Sequence, residues 1–179
     1  MKSEEKVLTT INSLLYILNK LGGVGDFHKV FKILYFADRE YLAKYGKSIT
    51  NDRYIAMSNG PVPSFAYDIF KSLRGNGVFA DVNLNKWFQL EGHCQVCARE
   101  DADVDFIPES AQFLLSHYAL KFKHISFTRL SAESHDKAWE KAFHDSEMNV
   151  LEIAKAGGAN KVMLSYISDW IETNSAVYE

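Results

Sequence analysis

Several short stretches of the 179-residue chain have residue types and spacings that chemistry could use. Cys94-Gln95-Val96-Cys97, with His93 beside it, has the spacing of half a zinc knuckle. Zinc needs four tetrahedral ligands, and a convincing sequence signal has two ligand pairs. His117 and His124 do not form a second pair, and residues three apart in a continuous strand face opposite sides. The pair reads as two ordinary thiols, and no metal or cofactor is expected. Asp101, Asp103 and Asp105 imitate the start of a calcium loop, but Phe106 and Gln112 stand where that loop needs glycine and glutamate. They read as a solvated acidic loop, suited to meeting a basic patch on a partner protein.

The stretch Asn59-Gly60-Pro61-Val62-Pro63 invites comparison with a phosphate loop. A phosphate cradle aims several backbone N–H groups at the anion. Pro61 and Pro63 remove two of those donors, and no Gly-Lys-Ser/Thr ending or GxGxxG is present. The expectation is a stiff strand-to-helix corner, with Asn59 and Ser64 bonding locally. Asp38 lies in a helical apolar stripe between Leu34 and Leu42. A carboxylate facing a core must be paired or hydrogen-bonded, with Arg53 or His28 as the expected partners. A structural network is favoured over a catalytic acid, because no convergent second group is visible. His135, Asp136 and Trp139 suggest a catalytic pair. However, Ser134-His135 adjacency does not give triad geometry, and there is no nucleophile elbow. His135 is expected to cap or bridge a helix start, with Trp139 packing one turn later.

The elements that must position these residues follow from composition and periodicity. Hydrophobic residues make up 47% of the chain, aromatics 13%, and the net charge is -3. A packed core is expected, and a general nucleic-acid binder would carry a basic excess instead. The N-terminus lacks the apolar run of a signal peptide, and no apolar run reaches membrane-span length. Two cysteines are too few for a secreted disulfide scaffold. The reading is a cytoplasmic protein of one domain, residues 1–179.

Val7, Ile11, Leu14, Leu15, Leu18 and Leu21 predict a first helix ended by Gly22-Gly23. Asp26 is placed to cap a second, which runs through Phe27, Val30, Phe31, Leu34, Tyr41 and Leu42 to Gly46. Tyr54–Met57 reads as a strand, and Pro63 falls in the first turn of a third helix carrying Phe65, Ala66, Ile69, Phe70 and Leu73. Residues 86–90 and 93–99 flank Glu91-Gly92 as a hairpin. Helices return after Pro108 and Ser126, across Ala138, Trp139, Ala142 and Phe143, and after Gly157-Gly158. The fold class is α+β: mostly helical, with a small antiparallel sheet or hairpin.

Two ordered segments carry a resemblance. "KILYFADREYLAKYGKSITNDRYIAMSNGPVPSFAYDIF", Lys32 to Phe70, resembles the signature region of the Panacea domain, the SocA-like, phage-associated antitoxin family. The matching features are a Leu-Tyr-Phe-Ala-Asp helix, a Tyr-Gly-x-x-Ile-Thr link, a Tyr-x-Ala strand and Gly-Pro-Val. "LSAESHDKAWEKA", Leu130 to Ala142, resembles the family's second marker, Leu-Ser-x-x-Ser-His followed by Trp. The resemblance implies a helical antitoxin domain that neutralises a cognate toxin by direct contact, without catalytic residues of its own. Such toxins are of several unrelated kinds and are typically encoded alongside. Tyr54, Asn59, Gly60, Pro61, Tyr67, Asp101 and Asp103 are the candidate partner contacts, with Asp38, His135 and Trp139 as scaffold. Rival readings are an adaptor that delivers a bound protein to a protease, and a metal-dependent hydrolase using Asp38, His135 or the Cys94/Cys97 pair. A DNA-binding repressor fits the acidic balance poorly.

Overall fold

The computed structural model describes residues 3–79 and 82–175. Helix α1 (Ser3–Leu21) buries Ile11, Leu14, Leu15 and Leu18 completely, along the periodic face read from the sequence. Helix α2 (Phe27–Tyr45) is buried nearly all round: Val30, Phe31, Ile33, Leu34, Tyr35, Phe36 and Ala37 all lie in the core. A helix apolar on most faces belongs at the centre of a fold, and α2 occupies that place. Its start is capped by Asp26, whose carboxylate accepts from the His28 amide, and its end by Gly46 at φ +69°.

The remaining elements wrap α2. Helix α4 (Glu109–Phe122) packs along α1 and α2, and Phe36 meets Phe122 at 4.9 Å between ring centres. Helices α5 (Phe127–Ser134), α6 (Lys137–Glu140), α7 (Val150–Ala156) and α8 (Lys161–Ser175) follow. Helix α3 (Ser64–Leu73) places Phe70 against Phe27 at 4.6 Å and Phe31 at 5.5 Å. Pro63 precedes α3 without a side-chain cap. Asp52 fills that role from outside the helix, accepting from the Phe65 and Ala66 amides at 2.8 and 2.9 Å.

Two antiparallel sheets complete the α+β fold. The first has the order β1 (Val24–Asp26), β5 (Gln95–Ala98), β4 (Phe88–Glu91). The second is a hairpin of β2 (Tyr54–Met57) and β3 (Gly60–Pro63), in the register Tyr54↔Pro63 and Met57↔Gly60.

The structure corrects the sequence-based expectations in four places. Residues 60–63 form a strand returning along β2, so the corner is a hairpin before it is an approach to a helix. The turn residues Ser58 and Asn59 keep negative φ while Gly60 takes φ +95°, a left-handed conformation that favours glycine. Val24–Asp26, expected to be only a helix end and a cap, is a third strand for the 88–98 hairpin. Helix α7 lies in a stretch where no helix was expected, and the helix around Trp139 is a single turn that leaves Phe143 85% exposed.

Helix α7 ends where Gly157 passes against the α2 backbone. A methyl group built there would overlap the Arg39 carbonyl oxygen. Gly157 has φ -76°, so alanine meets no backbone strain and the effect is purely steric. Gly157→Ala is expected to destabilise the protein by about 1–3 kcal/mol through overpacking, read as a lower urea midpoint.

Candidate partner-binding site

The two sequence segments that carried the resemblance meet around the β2–β3 hairpin. Along its turn, alternate backbone carbonyls point into the protein and each finds a donor. Trp139 Nε1 donates to Met57 O at 3.0 Å. Ser131 Oγ donates to Asn59 O at 3.1 Å, and Lys32 Nζ to Pro61 O at 2.8 Å. The loop is therefore the reverse of an anion cradle: its inward groups are acceptors, and the protein supplies the donors. The outer edge of β2 is covered too, with the Ala56 amide donating to Ser146 O and the Met148 amide to Tyr54 O.

Asp136 sets the Trp139 donor in position. One carboxylate oxygen accepts from the Ala138 and Trp139 amides and starts the single turn α6. The other accepts from Tyr35 Oη at 2.8 Å and from Arg39 Nη1 at 2.6 Å. This ties α6 to α2 and orients Trp139 toward Met57. His135 stacks flat on Trp139, with ring centres 3.8 Å apart. Its predicted capping role belongs to Asp136 instead. Burial, and then the nearby Lys32 charge, hold the imidazole below its usual pKa.

Gly60 sits where these parts converge. A methyl group there would overlap Ser134 Oγ and come within 3.1 Å of Lys32 Nζ. Ser134 is itself buried and donates to Ser131 O. Lys32 is 2% exposed, and burial pushes its ammonium down to about 7.

Asp38 anchors a second network beside the hairpin. Its carboxylate accepts from the Ile49 amide at 2.6 Å, Thr50 Oγ1 at 3.1 Å and Tyr54 Oη at 2.8 Å. The expected partners Arg53 and His28 are elsewhere: Arg53 pairs with Glu147, and His28 with Asp26. Burial raises Asp38 to about 6 against the opposing effect of its three donors. Burial also raises Tyr54, followed by the Asp38 charge.

Beyond Asp38 and Tyr54 opens a cleft of about 670 Å³. Its floor is α2 and the 46–54 loop, with Glu5 and Thr9 of α1 at one side. Val150 and Ile153 of α7, and Ile167 and Trp170 of α8, form another side, and Asp105 and Phe106 close it.

The predicted contacts are scattered relative to this geometry. Asn59 is exposed at the hairpin tip, whereas Gly60 and Pro61 are buried. Tyr54 is 3% exposed, so in this conformation it is a core residue and offers a partner no surface. Tyr67 is half-buried on α3 with its ring edge on Phe31. Asp101 and Asp103 are exposed on a loop held to α1, where Asn19 and Asn12 accept from the Ala102 and Asp103 amides. Cys94 and Cys97 are free thiols. Among the described residues no group of three histidine, cysteine or acidic side chains could hold a metal, and no helix is long and apolar enough to cross a membrane.

Lys32, Tyr35, Ser131 and Ser134 were not picked out as site residues in the sequence. A signal existed, since all four lie inside the two quoted segments. Lys32, Tyr35 and Arg39 also repeat at helical spacing on α2. The comparison with family models gives a match for antitoxin SocA-like, Panacea domain, over residues 30–140. No curated protein and no solved structure matches the chain.

Two outcomes follow for stability. The unfolded chain keeps the Lys32 proton up to about pH 10.5, while the folded chain releases it near 7. The unfolded state thus binds more protons above pH 7, and stability rises with pH by up to about 1.4 kcal/mol per pH unit. Between pH 7 and 9, Lys32→Met should lack this rise in urea-unfolding free energy relative to wild type. Gly60→Ala should lose about 1–3 kcal/mol in the same assay at pH 7, from left-handed backbone strain and the overlap with Ser134.

Proposed function

Given that the chain belongs to the antitoxin SocA-like, Panacea domain family, we propose that it is an antitoxin that neutralises a cognate toxin by binding it directly, without a chemical step of its own. The match over residues 30–140 carries this reading, and it takes in all of the first segment and most of the second that close on the hairpin. The geometry gives it a physical basis. A hairpin held through its Met57, Asn59 and Pro61 carbonyls is fixed before a partner arrives, so less ordering is left for binding to drive.

In this reading the proposed contacts divide by exposure. Asn59, Tyr67, Asp101 and Asp103 have side chains that a partner can reach, whereas Tyr54, Gly60 and Pro61 act by holding the surface in shape. The acidic loop would speed encounter with a basic toxin surface more than it would tighten the complex. The toxin is proposed to be encoded beside this chain.

The reading is tested by expressing each neighbouring open reading frame alone and together with this protein. One neighbour should arrest growth alone, and co-expression should restore growth and yield a complex that survives purification. If every neighbour is harmless, or toxicity persists with this protein present, the antitoxin reading fails. A fall in the partner's level in pulse-chase would instead identify delivery to a protease.

A further inference from the structure

We propose that the cleft beside Asp38 receives a segment of the partner protein that presents a basic side chain flanked by apolar ones. The identity of that partner as a toxin rests on the antitoxin reading, whereas the chemistry of the ligand does not. At about 670 Å³ the cleft is in the size range of sites that enclose a small ligand or a few side chains.

Its lining combines two chemistries. Val150 of α7 and Trp170 of α8 supply the exposed apolar surface of one side, while Ile153 and Ile167 are themselves buried. Against it stand four carboxylates, Glu5, Asp38, Asp52 and Asp105, and a single lysine, Lys47. The ion pairs among the described residues include none of these four acids. The donors on Asp38 and Asp52 are amides and hydroxyls, which fix each carboxylate in place without cancelling its charge. Lys6 feels both of them electrostatically from α1, but at no ion-pair distance. A concave site with low-dielectric walls and an excess of negative over positive groups focuses its field on an incoming cation.

The arrangement also sets the position of that cation. Asp38 is buried at the floor and supplies field, whereas Glu5 and Asp105 are exposed and open to direct contact. A guanidinium suits the rim best, because its fork can bond two carboxylate oxygens while its stem lies along apolar surface. The floor lies inside residues 30–140, and Glu5, α7 and α8 lie outside that stretch. The cleft thus joins a base inside the family-matched stretch to sides that lie partly outside it.

The test uses the full chain, labelled with ¹⁵N and titrated with acetyl-Leu-Arg-Leu-amide. Acetyl-Leu-Glu-Leu-amide and acetyl-Leu-norleucine-Leu-amide serve as controls. The arginine peptide should shift amides at Ser48–Asn51, Asp105 and Ile153 saturably, and the glutamate peptide should not. Glu5→Gln and Asp105→Asn should each weaken binding by up to about fivefold, as for an exposed ion pair. Both positions are exposed, so folding is preserved, and the unchanged spectrum away from the cleft verifies it. Absence of shifts at those amides, or equal shifts from all three peptides, overturns the proposal. Because the probe is synthetic, that result leaves the antitoxin reading standing, and failure of neutralisation leaves the cleft chemistry standing.

Discussion

Three backbone carbonyls of one small hairpin, those of Met57, Asn59 and Pro61, point into the protein, and the surrounding helices are placed to meet them. A buried carbonyl left without a donor costs about 1–3 kcal/mol, which applies in full to Pro61 O and in smaller measure to the part-buried carbonyls of Met57 and Asn59. The donors come from three helices. Lys32 projects from α2, Ser131 from α5 and Trp139 from α6. Helix α6 is one turn long and could not hold a tryptophan by its own stability. Asp136 holds it instead, by accepting its first amides and bonding Tyr35 and Arg39 of α2.

Electrostatics around this clamp is arranged against ordinary expectation. Lys32 and Asp38 are both buried on α2, and among the described residues neither has an oppositely charged partner within ion-pair distance. Burial moves each toward its neutral form, lowering the lysine and raising the aspartic acid. Their hydrogen bonds survive either state of Lys32, because a neutral amine still donates to Pro61 O. Asp38 and the neighbouring Asp52 have their carboxylates fixed beside the cleft by neutral amide and hydroxyl donors. The backbone and hydroxyl donors that hold the 49–54 segment to α2 thereby also fix where the Asp38 carboxylate sits.

Much of the architecture was legible in the sequence. The 3.6-residue repeat of Ile11, Leu14, Leu15 and Leu18 defined α1, and Asp26 and Gly46 bracketed α2, because caps and periodicity are local properties. The Cys94/Cys97 pair and the calcium-like acids were rejected on missing neighbours, which is also local information. The hairpin was misread for a reason equally local. Two prolines close together suggest a bend, and the strand pairing of Gly60–Pro63 depends on β2, which lacks a strong alternation of its own. The Asp38 partners were misassigned because opposite charge was sought, whereas the fold supplied an amide, a hydroxyl and a phenol.

By itself the sequence determined the α+β class, the capped central helix, and the two segments whose order marks the family. Each of these is encoded within a few turns of chain. Tertiary structure alone decided that the segments, separated by some 60 residues, close on the same turn. It also decided that Tyr54 and Gly60 face inward, and that α1, α7 and α8 meet across an acidic floor. Those outcomes depend on which buried acceptor finds which donor, and that pairing is settled by packing around α2 rather than by neighbours along the chain.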